Sequence, residues 1–235
     1  MISNIFQTIL VHPLLNALIF VYNYIPDIGV AIILVTLVVR FALLPSYHKS
    51  LKHQKALQAL QPKMNEIKEK YKDDQQKQAA AMMELYRVHK VNPMSSCLPL
   101  LIQLPIFFAL FAVFNQSLGG KDLVGLYSFV PRPDEVSPMF LGIMNLADHN
   151  LVLSAIAGIL QFFQTKMMLP KTIDPKDMMS TMMSGPMLYA LPVITVVAGM
   201  SVPAGLPLYW IVTTLFIIVQ QYFIIKKEAK EALAK

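Results

Sequence analysis

The sequence predicts an all-α polytopic membrane protein of five transmembrane helices, N-terminus outside and C-terminus inside. A cytoplasmic helical hairpin and an N-terminal interfacial amphipathic helix complete it. Three observations carry that prediction. The 235 residues are 55% hydrophobic and only 14% charged, against about 25% charged in soluble domains. Five stretches, at 28–47, 94–116, 150–169, 186–203 and 205–225, approach or exceed the roughly 18–20 apolar residues that cross a hydrocarbon core. The cations are also strongly partitioned between the connections. Ten of the 20 Lys and Arg lie between the first and second spans, four follow the fifth and three surround the third-to-fourth connection. The positive-inside bias makes those segments cytoplasmic, so most of the net charge of +6 is a topological signal.

Residues 1–27 are apolar but interrupted by Gln7, His12, Pro13, Asn16 and Asn23. They predict an amphipathic helix in the outer interface, because a sixth span would invert the charge bias. No Lys or Arg precedes Arg40, so the basic n-region of a signal peptide is missing.

The first span, 28–47, runs inward and holds Arg40. A guanidinium stays charged in a protein, and near a helix centre it costs about 2.5–3.5 kcal/mol on insertion scales. Arg40 lies about 18 Å into the helix at about 1.5 Å per residue. It either snorkels to the cytoplasmic headgroups or faces a protein-lined, hydrated cavity. Side chains lean toward the helix N-terminus, here toward the membrane middle, which opposes snorkelling. Thr36 adds a hydroxyl one turn outward on the same face.

Residues 48–93 turn polar and helical. Leu57, Leu60, Met64, Ile67 and Tyr71 form an apolar seam at helical spacing, and Ala79, Met82, Tyr86 and His89 or Lys90 a weaker one. Lys72-Asp73-Asp74 is the turn between the two arms, and Pro62 either breaks a hydrogen bond in the first arm or restarts its helix. The hairpin is either a solvated pair packed on itself or a docking device. Lys63, Lys68, Lys70, Lys72, Asp73 and Asp74, with Lys226 and Lys227 of the basic tail 226–235, are the candidate docking residues.

The second span carries Pro99, Gln103 and Pro105, whose freed carbonyls need neighbours or water. The external segment 117–149 reads as a loop with one short interfacial helix, and its acids lack calcium-loop spacing. The third span ends with Gln161 and Gln164 three residues apart, on one helix face. A cytoplasmic loop, 170–185, joins it to the fourth. The fifth opens on Tyr209-Trp210, a pair that ordinarily belongs to an interfacial aromatic belt. Seven methionines between Met167 and Met187 suit either plain packing and membrane-facing filler or adaptable contact with varied apolar surfaces.

The chemistry on offer is binding and passage. No Gly-x-Ser-x-Gly, His-Glu-x-x-His or P-loop occurs, and the expectation is a non-enzyme without metal or cofactor. The lone cysteine, Cys97, cannot form an internal disulfide. A small anion transporter or channel could also use an intramembrane arginine, though inverted repeats are not evident. A ribosome-recruiting membrane anchor could use the basic hairpin and tail while needing no groove.

Several long blocks carry a family resemblance. Leu60-Gln-Pro-Lys-Met-Asn-Glu-Ile-Lys-Glu-Lys-Tyr71 and Glu84-Leu-Tyr-Arg-Val-His-Lys-Val-Asn-Pro93 resemble the two hairpin arms of the YidC/Oxa/Alb family of membrane protein insertases. Cys97-Leu-Pro-Leu-Leu-Ile-Gln-Leu-Pro-Ile-Phe-Phe-Ala-Leu110, Pro203-Ala-Gly-Leu-Pro-Leu-Tyr-Trp-Ile-Val212 and Gln220-Gln-Tyr222 extend the likeness. It is to the bacterial YidC type in its short form, without a large external domain, and Ser96 stands where that pattern has glycine. The resemblance implies an insertase of the bacterial inner membrane that works without nucleotide on nascent membrane proteins, in the lipid bilayer. It also implies work alone or beside the Sec translocon, often with a ribosome docked, without sequence-specific nucleic-acid binding. Five spans would enclose a hydrophilic groove, with Arg40, Thr36, Gln103, Gln161 or Gln164, Tyr209 and Trp210 as its residues. The third and fifth spans would form a hydrophobic slide.

Overall fold

A computed structural model describes residues 2–92, 94–118, 123–168 and 186–233. The chain folds as two compact units. One comprises Met1–Ala42, Leu104–Met168 and Pro186–Lys235, the other Leu43–Gln103 and Leu169–Gly185. The cytoplasmic loop expected at 170–185, with Met178, Met179, Met182 and Met183, lies outside the described residues.

Helix α1 (Ile2–Phe6) passes through a π-helical turn at Gln7–Val11 into α2 (His12–Tyr24). The His12 N–H reaches back five residues to the Gln7 carbonyl. The widening falls just before Pro13, whose ring would crowd a regular turn and which has no N–H to give. Asn4–Tyr24 is long and apolar enough to cross a membrane. Leu15, Asn16, Leu18, Ile19 and Tyr22 are buried along α2, and its polar residues are structural clamps. The Asn16 amide donates to the Gly125 carbonyl at 2.8 Å and its oxygen accepts from the Tyr127 N–H at 2.6 Å. Tyr22 OH accepts from the Ser137 N–H, and Asn23 donates to the Pro131 carbonyl. These interruptions of the apolar run therefore hold the segment 123–138 against the helix.

Helix α3 (Ile28–Lys70) is 43 residues long and continues through Pro45 and Pro62. Each proline removes one backbone bond without ending the helix, so the helix does not restart at Pro62. Asp27 caps α3 by accepting from the Val30 N–H at 3.0 Å. Ile28, Ala31, Ile32, Val35, Thr36 and Arg40 are buried, a stripe at helical spacing. The opposite face, with Leu34, Val38 and Phe41, is exposed.

In the first unit, α5 (Met94–Ser117) buries Ile106, Ala109, Leu110, Val113, Phe114 and Ser117, again one face. Helix α6 (Leu151–Met168), capped by Asn150 Oδ1 at 2.9 Å, packs against α7 (Pro186–Gly199) and α8 (Gly205–Leu233). The approach of α6 to α7 depends on small residues. A Cβ at Gly158 would collide with Val196 and come within 3.0 Å of the Pro192 carbonyl, and one at Gly199 would crowd Ser154. The start of α8 is tied down by Ala204 N–H to Asp148 O and Gly205 N–H to Leu146 O.

The segment 123–150 differs from expectation. Among its described residues there is no helix; a two-residue antiparallel ladder pairs β1 (Met139–Phe140) with β2 (Met144–Asn145). Leu141 and Gly142 turn the chain with positive φ at both positions, 52° and 69°, the backbone pattern of a type I′ hairpin turn.

The second unit contains the remainder of α3, a turn at 71–73 and α4 (Gln75–Val88). Its arms are joined by Gln78 Nε2 donating to the Lys68 carbonyl at 3.2 Å, by Tyr86 OH against Met64 Sδ, and by Lys63 with His89. Leu60 is buried and Leu57, Met64, Ile67 and Tyr71 are half-buried. On α4, Gln78, Ala81, Met82, Leu85 and Tyr86 are half-buried, whereas Ala79 and His89 are exposed. The covered face of the second arm is thus rotated from the expected seam.

Candidate functional site

Arg40 is 3% exposed and Thr36 and Tyr209 are similarly buried. The Arg40 Nη2 donates to Tyr209 OH at 3.5 Å, bringing together residues 169 apart in the chain. Tyr209 reaches it because the Ala204–Leu208 segment is wholly buried and fixes the first turn of α8. Tyr209 is therefore an interior residue and not part of an aromatic belt. Thr36 donates to the Ile32 carbonyl of its own helix at 2.6 Å.

A small cavity of about 10 Å³ adjoins the group, lined by Thr36 and Tyr209 with Val35, Val39, Leu110 and Val113 among others. That is room for about one water. Its wall is largely apolar, so the polar character of the site resides in Arg40, Thr36 and Tyr209.

Further polar groups lie on the buried side of α8 and on α5. Gln221 Oε1, Gln220 Nε2, Thr213 Oγ1 and Gln116 Oε1 are buried and have no hydrogen-bond partner among the described residues. In native interiors such atoms are ordinarily satisfied by protein or water. Tyr209, Thr213 and Gln220 follow one another at spacings of four and seven along α8, one helical face. Sequence reasoning did not assign Thr213 or Gln116 any role, and used Gln220-Gln221 only for resemblance. For Thr213 and Gln220 the helical spacing from Tyr209 was the signal available, and Gln116, on α5, offered none.

The other expected site residues are placed as follows. Trp210 is half-buried and stacks on Phe107, ring centroids 5.6 Å apart and planes 3° from parallel. Gln161 is half-buried and its amide turns to Thr165 at 3.4 Å within α6. Gln164 is half-buried on the same helix, and Gln103 is half-buried on the part of α5 in the second unit. Arg40, Thr36 and Tyr209 thus form one cluster.

Of the expected docking residues, Lys63, Lys70, Lys72, Asp73 and Lys226 are exposed, and Lys68 and Asp74 half-buried. The side chain of Lys227 lies outside the described residues. Asp74 is occupied structurally: its Oδ1 accepts from the Lys77 N–H at 3.0 Å and caps α4. The Lys77 backbone N–H, and then its ammonium, hold the Asp74 carboxyl below the usual carboxylate range. Glu84 is lowered by its hydrogen bonds from Arg87. Among the described residues no group of three His, Cys, Asp or Glu side chains could hold a metal ion.

Among the described residues four helical segments are long and apolar enough to cross a membrane: Asn4–Tyr24, Ile28–Lys70, Leu151–Met168 and Gly205–Ile224. Leu101–Ser117 and Leu188–Gly199 are shorter apolar helices. Comparison with known proteins places this bundle. The family model described as 60Kd inner membrane protein matches residues 20–231. A relative from Geobacter sulfurreducens, named membrane protein insertase YidC, is 38% identical over 217 residues. That alignment covers 92% of this chain but 37% of the relative, so the chain spans little more than a third of that protein's length. A relative of the same name from Fusobacterium nucleatum is 38% identical over 207 residues, 88% of this chain and 90% of that one. The crystal structure titled active YidC insertase with the first transmembrane domain resolved shares 29% identity and a TM-score of 0.62. It is matched over 94% of this chain and 46% of that one. With the family model spanning most of its length, this membrane chain belongs to the 60Kd inner membrane protein family, that of the YidC insertases.

Proposed function

We propose that the chain inserts newly made membrane proteins into the bilayer of a bacterial inner membrane. The observation that carries this reading is the buried cluster of Arg40, Thr36 and Tyr209 inside a largely apolar bundle. Arg40 is the only Lys, Arg, Asp or Glu between Ile28 and Ser46. Moving a polar tail through hydrocarbon fails chiefly because its groups lose water without replacement. A fixed guanidinium beside a phenol and a threonine supplies replacement dipoles and a positive charge, which favours an acidic tail most. The buried polar atoms of Thr213, Gln220 and Gln221 support extending that environment along α8 as a hydrated groove.

In this reading five spans, at 28–47, 94–116, 150–169, 186–203 and 205–225, cross the membrane with the hairpin in the cytoplasm. The client's tail is held near Arg40 while its apolar segment slides into lipid along α6 and α8. Ile156, Ile159 and Phe163 on α6, and Leu215, Val219 and Phe223 on α8, are exposed apolar side chains suited to that contact. Trp210 and Gln161 or Gln164 contribute to the groove wall. The hairpin and basic tail dock the ribosome or the Sec translocon through their exposed lysines.

The test replaces Arg40 with Ala and, separately, with Lys in cells depleted of their own insertase. A single-span client with an acidic external tail is then scored for insertion. The expected result is a loss of about tenfold with Arg40→Ala, the equivalent of about 1.4 kcal/mol of barrier, and partial retention with Arg40→Lys. Unchanged insertion with Arg40→Ala would remove the cluster from the mechanism, and lost solute flux would favour a transporter instead.

A further inference from the structure

The β1–β2 hairpin ends in an apolar tip that nothing in the described fold covers. Leu141 is 62% exposed and Ile143 is 82% exposed, the highest value among the exposed large hydrophobic residues. Leu141 also takes a φ of 52°, a left-handed conformation that type I′ turns usually assign to Asn or Gly. A bulky apolar side chain is thus kept at a backbone position poorly suited to it and is aimed outward. From Val136 to Ala147 there is no Lys, Arg, Asp or Glu, although Asp134, Glu135 and Asp148 flank the stretch.

The position of the tip says what covers it. The Leu141 N–H donates to Asp27 Oδ2 at 2.6 Å, while the other oxygen of that carboxylate caps α3 at Val30. The Phe140 ring lies over Gly29, where any Cβ would collide with it. Two contacts therefore hold the hairpin at the level of residues 27–29, where the apolar run of α3 begins. A helix entering hydrocarbon at Ile28 places residues at that level in the layer between headgroups and acyl chains. That layer accepts amphipathic and apolar side chains that carry no charge.

We propose that the Leu141-Gly142-Ile143 tip inserts into the leaflet that α3 enters at Ile28 and is covered by lipid at the glycerol and upper acyl level. The Asp27 carboxylate acts as its strut, joining the depth of the tip to the first turn of α3. This gives the bundle a second, non-helical hold on one leaflet, and it requires only that α3 crosses the membrane near Ile28. It is independent of the insertase reading.

The test uses the full chain with its single cysteine replaced, Cys97→Ser. Cysteines are introduced separately as Ile143→Cys, Leu141→Cys and Glu135→Cys and labelled with an environment-sensitive fluorophore. The labelled chains are reconstituted into phosphatidylethanolamine–phosphatidylglycerol vesicles, with and without lipid spin-labelled near the glycerol. Labels at 143 and 141 should emit at shorter wavelength than the label at 135, lose most of their intensity to the spin-labelled lipid and resist aqueous iodide. Iodide quenching at 143 and 141 equal to that at 135 would overturn the proposal. Protection from both quenchers would also overturn it, because the cover would then be protein. Adding Asp27→Asn to Ile143→Cys should raise iodide quenching, and an unchanged value would remove the strut.

Discussion

Arg40 sits on the buried stripe of α3, and its burial governs what the residue can do. Snorkelling would leave it exposed, whereas it is 3% exposed and turned to Tyr209. The inward placement was legible in the sequence, because Arg40 shares its helical face with Ile28, Ile32, Val35 and Thr36. Its contact with Tyr209 was not, since no local pattern joins residues 169 apart. Asn16 shows the opposite difficulty. It looked like a mark of an interfacial helix, yet it is buried and holds two backbone groups of the 125–127 turn. Truncating it strands a part-buried donor and acceptor, at a cost of about 1 kcal/mol, the low end for an unsatisfied group. Asn16→Ala should therefore lower the thermal unfolding midpoint in detergent, while Asn4→Ala, at an exposed position, should leave it nearly unchanged.

At the level of elements, helix contacts depend on small residues and local caps. The approach of α6 to α7 leaves no volume at Gly158 for even a methyl group without displacing Val196. Gly158→Leu should cost about 1–3 kcal/mol by overpacking, read as a lower unfolding midpoint and faster proteolysis between the two helices. The cap of α4 is electrostatic as well as hydrogen-bonded. A carboxyl depressed in the folded state contributes stability above its unfolded pKa, about 3.9 for Asp. That contribution is lost as pH falls through the lower folded value. Amide exchange at Lys77, whose N–H is the one the Asp74 carboxylate accepts, should thus, corrected for its intrinsic rate, stay protected from neutral pH to about 4 and rise below it. In Asp74→Ala the protection should be absent at every pH. The first arm's seam was readable because Leu57, Leu60, Met64 and Ile67 are strongly apolar at helical spacing. The second arm was rotated because its sparse Ala and Met pattern leaves the covered face to the Gln78–Lys68 and Tyr86–Met64 contacts.

For the whole molecule, hydropathy made the helical membrane class readable, and long ordered blocks such as Pro203–Val212 made the family readable. The segment between α5 and α6 was not readable. Its hairpin turn is Leu141-Gly142 where Asn-Gly would signal one, and its anchors, Asn16, Tyr22 and Asp27, lie more than a hundred residues away. The central claim is that the face of α3 bearing Arg40 handles the polar part of a client, and Thr36 with Val38 tests it most directly. The two lie on one helix, Thr36 buried within the cluster and Val38 69% exposed on the opposite face. A photo-crosslinker is placed at each position and challenged with a stalled nascent client whose acidic tail is tagged. The account predicts crosslinks to the tail from position 36 and none above background from position 38. Tail crosslinks from 38 alone, or from neither position with insertion intact, would contradict it.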